Sequence, residues 1–444
     1  PREEVAYVTC TYNNLGICQP DFLATVDLDP CSPCYGQVVH RLPMTHLKDE
    51  LHASGWGKSC SCCDSSTRRK NKLILPSLIS SRVYVVDVGS QCRKPSICKT
   101  IEPEEIFQKC NKAYLNVPRC LPSGDVVIAN MGDAAGKEKD GFIVLDGDTF
   151  DLKGNWEKGC EVPPTGYDFW YQQCHNVLIS SAGVDPRSLR CGFCPDDYGK
   201  GVFGRRLNVW NLSCHTLTNY FDLGEDSLPL SVKFLHNPNA AEGYVSCALS
   251  GLIYRFFKDN WAVEEVIRIP DKLVTGWIMD RMPAFPSNIV LSEDDRYLYV
   301  SNWLHGDIRQ YELSRNCKPK LVGQVFVGGS ILRGGCVTVC KDEELKCQPE
   351  PLVVKCKTVH GGPCKMQLSL DGKRLYVTNS FYSAWDKQFY PELVREGSVM
   401  LQIDVDTENG GLTVNENFLV DFGKEPHGPC LAHEIHFPTG DCTT

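Results

Sequence analysis

Leu291-Ser-Glu-Asp-Asp-Arg-Tyr-Leu-Tyr-Val-Ser-Asn302 and Leu368-Ser-Leu-Asp-Gly-Lys-Arg-Leu-Tyr-Val-Thr-Asn379 are two copies of one unit. Each reads as the end of a strand, an Asp-containing tight turn, and a second strand with alternating apolar positions. Weaker copies lie at Leu121–Asn130, His175–Ser181 and Gly243–Leu249, and Ser81–Asp87 belongs to an earlier one. Further strands ending in polar turns follow at Gly141–Asp146, Leu207–Asn211, Leu252–Phe257, Asp307–Leu313 and Val399–Val405. Counting an inner strand near residues 80, 125, 176, 244, 297 and 375 gives six units. A seventh begins at Ala432–His436, where too little chain follows to finish it, and Phe22–Leu28 at the other terminus supplies the missing strand. The expected fold is therefore all-β: a seven-bladed β-propeller closed by strands from both termini, one domain spanning residues 1–444. A pair of β-sandwiches accounts less well for the regular spacing. Helices should be few, with Leu47–His52 and Pro103–Lys109 the best candidates. Residues 183–206 and 331–360, rich in Gly, Cys and charge, read as long loop insertions over one mouth.

Composition excludes several classes. Of 444 residues, 42% are hydrophobic and 23% charged, as in a folded globular chain. The formal charge of −9, with Lys and Arg dispersed, argues against a nucleic-acid partner. No apolar run approaches the ~18 residues that span a bilayer, which leaves peripheral association as the one membrane role open. Pro-Arg-Glu-Glu at the start is neither a signal peptide nor a start methionine, so a fragment or processed form is expected. The 25 cysteines are odd in number and scattered, which points to reduced thiols in the cytosol. Three clusters stand out: Cys31-Ser-Pro-Cys34, Cys60-Ser-Cys62-Cys63 and Cys191-Gly-Phe-Cys194. Their separation along the chain disfavours a shared zinc site.

Four histidines sit at or beside junctions of apolar strands and turns: His175, His236, His305 and His433. Taken singly, each is most simply a satisfied core or turn histidine. Strands repeated about one axis would let them converge, and converging imidazoles hold redox metals.

Long stretches carry a resemblance. They include Lys-Asp-Glu-Leu-His52 followed by Ser-Gly-Trp56, Gly-Tyr-Asp-Phe-Trp170-Tyr, Phe-Leu-His236-Asn-Pro, Ser-Asn-Trp-Leu-His305-Gly-Asp, and Tyr-Ser-Ala-Trp385-Asp-Lys-Gln-Phe-Tyr-Pro. Over essentially its whole length the chain resembles the selenium-binding proteins, also called methanethiol oxidases. The resemblance implies a cytosolic propeller, in some settings nuclear or membrane-peripheral. It oxidises methanethiol with O2 and water to formaldehyde, hydrogen sulfide and hydrogen peroxide. It also implies copper dependence, covalent selenium binding at a cysteine, and a link to intracellular protein transport. Under it, His175, His236, His305 and His433 are candidate copper ligands, with Glu434 and Asp307 orienting them from behind. Trp170, Tyr171 and Trp303 are candidate pocket walls, and Cys34 and Cys62 are candidate selenium or redox thiols.

Departures from the family pattern open a second class. Where the family carries His-Thr-Ser-His-Cys, this chain has Asn116-Val-Pro-Arg119-Cys120, and an arginine cannot coordinate a metal. The selenium-associated cysteine position holds Gly36. The expectations are thus a copper-assisted thiol oxidase, or a catalytically impaired paralogue whose ring faces bind protein partners. A non-haem iron oxygenase is a more distant third.

Overall fold

The computed structural model describes residues 2–57, 70–159, 162–258, 261–314 and 317–442. Among them, strands form seven four-stranded antiparallel sheets. The first contains Leu431–His436, Val5–Thr11, Phe22–Asp27 and Val38–Pro43, in that spatial order. The second is Gly55–Gly57, Lys72–Pro76, Val83–Asp87 and Ser96–Ile101, and the third Ala113–Cys120, Val126–Gly132, Phe142–Leu145 and Leu152–Asn155. The fourth is Phe169–Gln172, Val177–Ser181, Arg206–Asn211 and Thr216–Asp222, and the fifth Pro229–Phe234, Glu242–Cys247, Leu252–Phe257 and Ala262–Arg268. Pro286–Leu291, Tyr297–Asn302, Asp307–Ser314 and Cys317–Phe326 make the sixth. Met366–Leu368, Arg374–Thr378, Val399–Val405 and Leu412–Asp421 make the seventh. The all-β arrangement is consistent with a propeller.

Burial identifies the inner side of each sheet. Pro229–Phe234 and Pro286–Leu291, first strands, are buried throughout, whereas the fourth strands Thr216–Asp222 and Ala262–Arg268 are largely open to solvent. This shifts the phase read from the sequence. The strands at 126–132, 177–181, 242–247, 297–302 and 374–378 are second in their sheets, and Val83–Asp87 is third. The inner strands come earlier, and they escape a sequence reading because they are short (three residues at Gly55–Gly57 and Met366–Leu368) or interrupted by polar side chains.

Each sheet is tied to the next at these first strands or at residues beside them. Thr9 Oγ1 donates to the His52 carbonyl (2.9 Å), and the Tyr114 amide donates to Ser81 Oγ (2.8 Å). Asn116 Nδ2 donates to the Tyr167 carbonyl (3.1 Å), and the Val232 amide to Asp168 (3.0 Å). Asn288 Nδ2 reaches Ser231 Oγ (3.3 Å), and its Oδ1 accepts from the Met366 amide (3.1 Å). Gln367 Nε2 donates to the Ile435 carbonyl (3.0 Å), returning from the seventh sheet to the first. Each bond satisfies a buried backbone or side-chain group that water cannot reach.

The first sheet is built from both ends of the chain: Tyr7 pairs with His436 and Thr11 with Leu431. The expected closing strand Phe22–Asp27 is present, with Val5–Thr11 inserted between it and the C-terminal strand. Among the described residues, four α-helices lie beyond the sheets: α1 Pro103–Cys110, α2 Pro186–Cys191, α3 Ser383–Phe389 and α4 Pro391–Glu396. Only α1 was expected. The other candidate, Leu47–His52, is not helical, because Lys48 and Glu50 adopt left-handed backbone angles (φ 61° and 58°). Those angles serve side-chain contacts: Asp49 binds Arg82 Nη1 (2.7 Å) and the Tyr84 hydroxyl (2.6 Å), and Glu50 accepts from the Ser383 amide (2.8 Å).

The two insertions are not structureless. The segment 183–206 contains α2, and within 331–360 Thr338–Lys341 pairs with Lys272–Thr275 while Val353–Val354 pairs with Lys357–Thr358. No helix among the described residues is long and apolar enough to cross a membrane.

The N-terminal strand is held to the seventh sheet by a buried ion pair. Arg374 presents Nε at 2.5 Å and Nη2 at 3.1 Å to Glu3, whose Oε1 also accepts from the Tyr376 hydroxyl at 2.7 Å. Removing the carboxylate leaves a buried guanidinium with Asp371 as its remaining partner. Glu3→Ala should therefore cost about 3 kcal/mol, the lower end for breaking a buried pair. Urea denaturation would measure this, and a loss under about 1 kcal/mol would show that the clamp does not stabilise the fold.

Candidate functional site

The strand shift separates the four histidines. His175 and His236 follow first strands, and His305 lies between second and third strands, at the opposite end of an antiparallel sheet. His175 Nδ1 lies 3.4 Å from Lys258 Nζ. His236 is held by Asp295 (3.0 Å) and the Cys442 carbonyl (2.8 Å); burial alone would lower its pKa, but Asp295, the Cys442 carbonyl and Glu293 together raise it. His305 contacts the Met282 carbonyl (3.0 Å), and burial, aided by Lys272, pulls its pKa to about 4. These three are tied to separate local partners and do not join His433. Asp307 is spent on Arg309, Asn302 and Gln324. Trp303 is plain core, its ring centroid 5.2–5.6 Å from those of Phe285, Phe381, Phe389 and Tyr390. The Tyr171 hydroxyl donates to the Cys120 carbonyl (2.7 Å). Cys34 is a half-buried free thiol in the turn after Phe22–Asp27, and Cys62 lies outside the described residues.

His433 instead meets a residue that the sequence reading passed over. Its imidazole stacks on His52, with centroids 3.5 Å apart and an interplanar angle of 24°. His52 lies just ahead of the first strand Gly55–Gly57, as Tyr167 does ahead of Phe169–Gln172 and Cys364 ahead of Met366–Leu368. With the correct inner strands, that shared position would have singled it out.

Partners assign one tautomer. His433 Nδ1 is 2.6 Å from the Ser380 carbonyl, which only accepts, so Nδ1 carries the proton and Nε2 keeps its lone pair. Nε2 of both His433 and His52 is buried without a hydrogen-bond partner. Burial pushes both imidazoles well below their usual pKa; for His433 Lys365 adds to this, and for His52 the neighbouring His433 and Lys365 do. Both are neutral at pH 7. The Tyr382 ring lies 5.0 Å from His52, and its hydroxyl faces that of Tyr167. Burial pushes both phenols and the Cys364 thiol up, so all three keep their protons. Asn116, bound to the Tyr167 carbonyl, leaves its Oδ1 buried and unpartnered.

Unsatisfied buried polar atoms cost about 1–3 kcal/mol each, and His52 Nε2, His433 Nε2, Asn116 Oδ1 and the Tyr167 and Tyr382 hydroxyls are all buried without a hydrogen-bond partner, which makes this group the candidate ligand site. Two neutral imidazoles with bare Nε2 atoms, one fixed by a backbone carbonyl behind it, are suitable donors for copper. They fit a two-imidazole site, not the four-histidine site expected from the sequence. No group of three or more His, Cys, Asp or Glu side chains placed to hold a metal occurs among the described residues. Arg119 cannot contribute, since its guanidinium is bound to Asp168 (3.0 Å) and the Phe169 carbonyl (2.5 Å). Glu434 faces Lys365 at 3.5 Å and does not orient an imidazole.

Comparison with known proteins agrees with this architecture. The family model for the 56kDa selenium binding protein (SBP56) matches residues 1–444. Methanethiol oxidases of Homo sapiens and Rattus norvegicus are 58% and 57% identical over 447 residues, covering 100% of this chain and 95% of each relative. The X-ray structure of a hypothetical selenium-binding protein from Sulfolobus tokodaii is 32% identical, with a TM-score of 0.85 over 100% of this chain and 95% of that one. The periplasmic gluconolactonase of Pseudomonas aeruginosa shares the fold alone, at 9% identity and TM-score 0.59, covering 98% of this chain and 99% of that one. Matched from end to end by that family model, the chain belongs to the selenium-binding protein family.

Proposed function

We propose that this chain is an oxidoreductase of the methanethiol oxidase type, and that its seven sheets are the blades of one propeller whose axial chamber takes a small thiol and O2. The observation that carries the reading is the buried His52–His433 stack with both Nε2 atoms bare. The names of the relatives at 57–58% identity give the reaction class. In balanced form, one methanethiol, one dioxygen and one water give one formaldehyde, one hydrogen sulfide and one hydrogen peroxide. The carbon is oxidised, dioxygen is reduced to peroxide, and sulfur leaves as sulfide.

His52 and His433 would hold copper, which supplies a Cu(I)/Cu(II) couple and favours thiolate over thiol. The chain's own residues do the rest. Neutral imidazoles need shed no proton before acting as donors. The Tyr167 and Tyr382 hydroxyls, both protonated, can donate hydrogen bonds to a sulfur or oxygen atom in the chamber. The buried aromatic side chains of Tyr382, Phe381 and Trp385 pack together beside the imidazoles and limit water there. Cys364 stays a thiol and does not compete for the metal. Selenium capture would fall to an accessible thiol, of which Cys34 is the described candidate.

The test combines a metal assay on purified protein with methanethiol-dependent peroxide release. Copper bound in proportion to protein, with peroxide formed, is the expected result. Copper-loaded protein that releases no peroxide would leave the impaired paralogue with protein-binding faces as the better reading, which the replacements Asn116 and Arg119 favour. In an active preparation His433→Ala and His52→Ala should each lower peroxide release at least ~100-fold and abolish copper retention, with the circular dichroism of the propeller unchanged. Retained copper in both variants would sink the ligand assignment.

A second prediction concerns the missing imidazole. Asn116→His places a new donor where Oδ1 is already unpartnered, and it should tighten copper binding about tenfold or more in a chelator competition. Unchanged affinity would place Asn116 outside the chamber's reach.

A further inference from the structure

Five charged residues from the inner edges of five sheets converge beside the histidine stack, with Lys365 acting on both groups. Arg119 comes from the third sheet, Asp168 from the lead-in to the fourth, Lys233 from the fifth, Lys365 from the lead-in to the seventh and Glu434 from the first. The Trp170 ring stands between two of the cations: Arg119 Cζ lies 3.7 Å from its centroid and Lys233 Nζ 4.3 Å. Arg119, Asp168, Lys365 and Glu434 all act electrostatically on Lys233.

The pairing within this group is uneven. Asp168 is committed, one oxygen to Arg119 Nη2 (3.0 Å) and the Phe169 amide (2.8 Å), the other to the Val232 amide (3.0 Å). Glu434 faces Lys365 at 3.5 Å. Lys233 is 7% exposed, and among the described residues its Nζ has the Trp170 face and neither an ion pair nor a hydrogen bond. Three cations against two carboxylates leave one positive charge (3 − 2). Burying an ammonium without a counter-ion is costly, and a face of a π-system replaces only part of its hydration. Burial, with Arg119 next, accordingly pulls the Lys233 amine down to about 7.

We propose that Arg119 and Lys233 at the Trp170 face, with Lys365 acting on Lys233, form a binding site for one small monoanion that supplies the missing negative charge. A dianion would overcompensate the single net charge. Strong hydration also counts against a ligand that must leave water to reach buried groups, so weakly hydrated monoanions such as thiocyanate fit best. The site uses residues other than the histidine pair, and its occupancy can be measured without turnover.

The experiment is calorimetric titration of the full chain with thiocyanate at pH 7 and low salt, with the anion's C≡N stretch followed by infrared spectroscopy. One saturable site is expected, with a stretch shifted from the aqueous value and sulfate binding at least ~10-fold more weakly. Lys233→Met should weaken binding ~10-fold or more, while Lys233→Arg keeps it within about threefold. The wild-type chain should also take up protons as thiocyanate binds, seen by comparing two buffers of different ionisation enthalpy; this readout decides the matter if Lys233→Met fails to fold. Absence of saturable binding, equal binding by Lys233→Met, sulfate binding as tight as thiocyanate, or no proton uptake would each overturn the proposal.

Discussion

The pairing of Val5–Thr11 with Leu431–His436 is the contact on which the other long-range geometry rests. It sets the register that brings His433 opposite the segment carrying His52, with Thr9 bonded to the His52 carbonyl and His436 to that of Ser54. Without it, the other six four-stranded sheets could still form locally, since each is a run of strands adjacent in sequence. The group around the stacked imidazoles could not assemble, because its residues come from the first, second, third, fourth and seventh sheets.

The repeat was legible because turns and strand alternation are local. Asp-containing turns between apolar strands announced the sixth and seventh sheets, and the leftover strands at both termini announced how the first is built. What could not be read was the phase. The second strands are regular apolar runs, whereas the first strands and the residues leading into them carry buried polar side chains that bond the neighbouring sheet, as Asn116, Asp168, Asn288 and Gln367 do. Polar residues in a buried strand look like a loop in sequence. The same misreading placed a helix at Leu47–His52, where Asp49 and Glu50 are acceptors for distant parts of the chain. His52 was hidden inside it, and the three histidines with conspicuous positions proved to be local fasteners.

Asn116 and Arg119 tie neighbouring sheets together. Asn116 bonds the Tyr167 carbonyl and Arg119 is locked to Asp168. Arg119 also brings its guanidinium over Trp170 and so joins the charged cluster around Lys233. The two sites share Lys365, which acts on the imidazoles and on Lys233 alike.

The terminal strand pairing also orders events in time. Tyr7 waits for His436, 429 residues later (436 − 7), so the strand made early in synthesis stays unpaired along one edge until the late one emerges. Val5–Thr11 is buried along its whole length in the finished protein, and an apolar strand with an open edge is prone to pair with the wrong partner. Nascent chains stalled or truncated before residue 433 can therefore neither assemble the stacked imidazoles nor hide this strand. Such chains should depend on chaperones that cover strand edges, and only the completed chain can acquire a ligand.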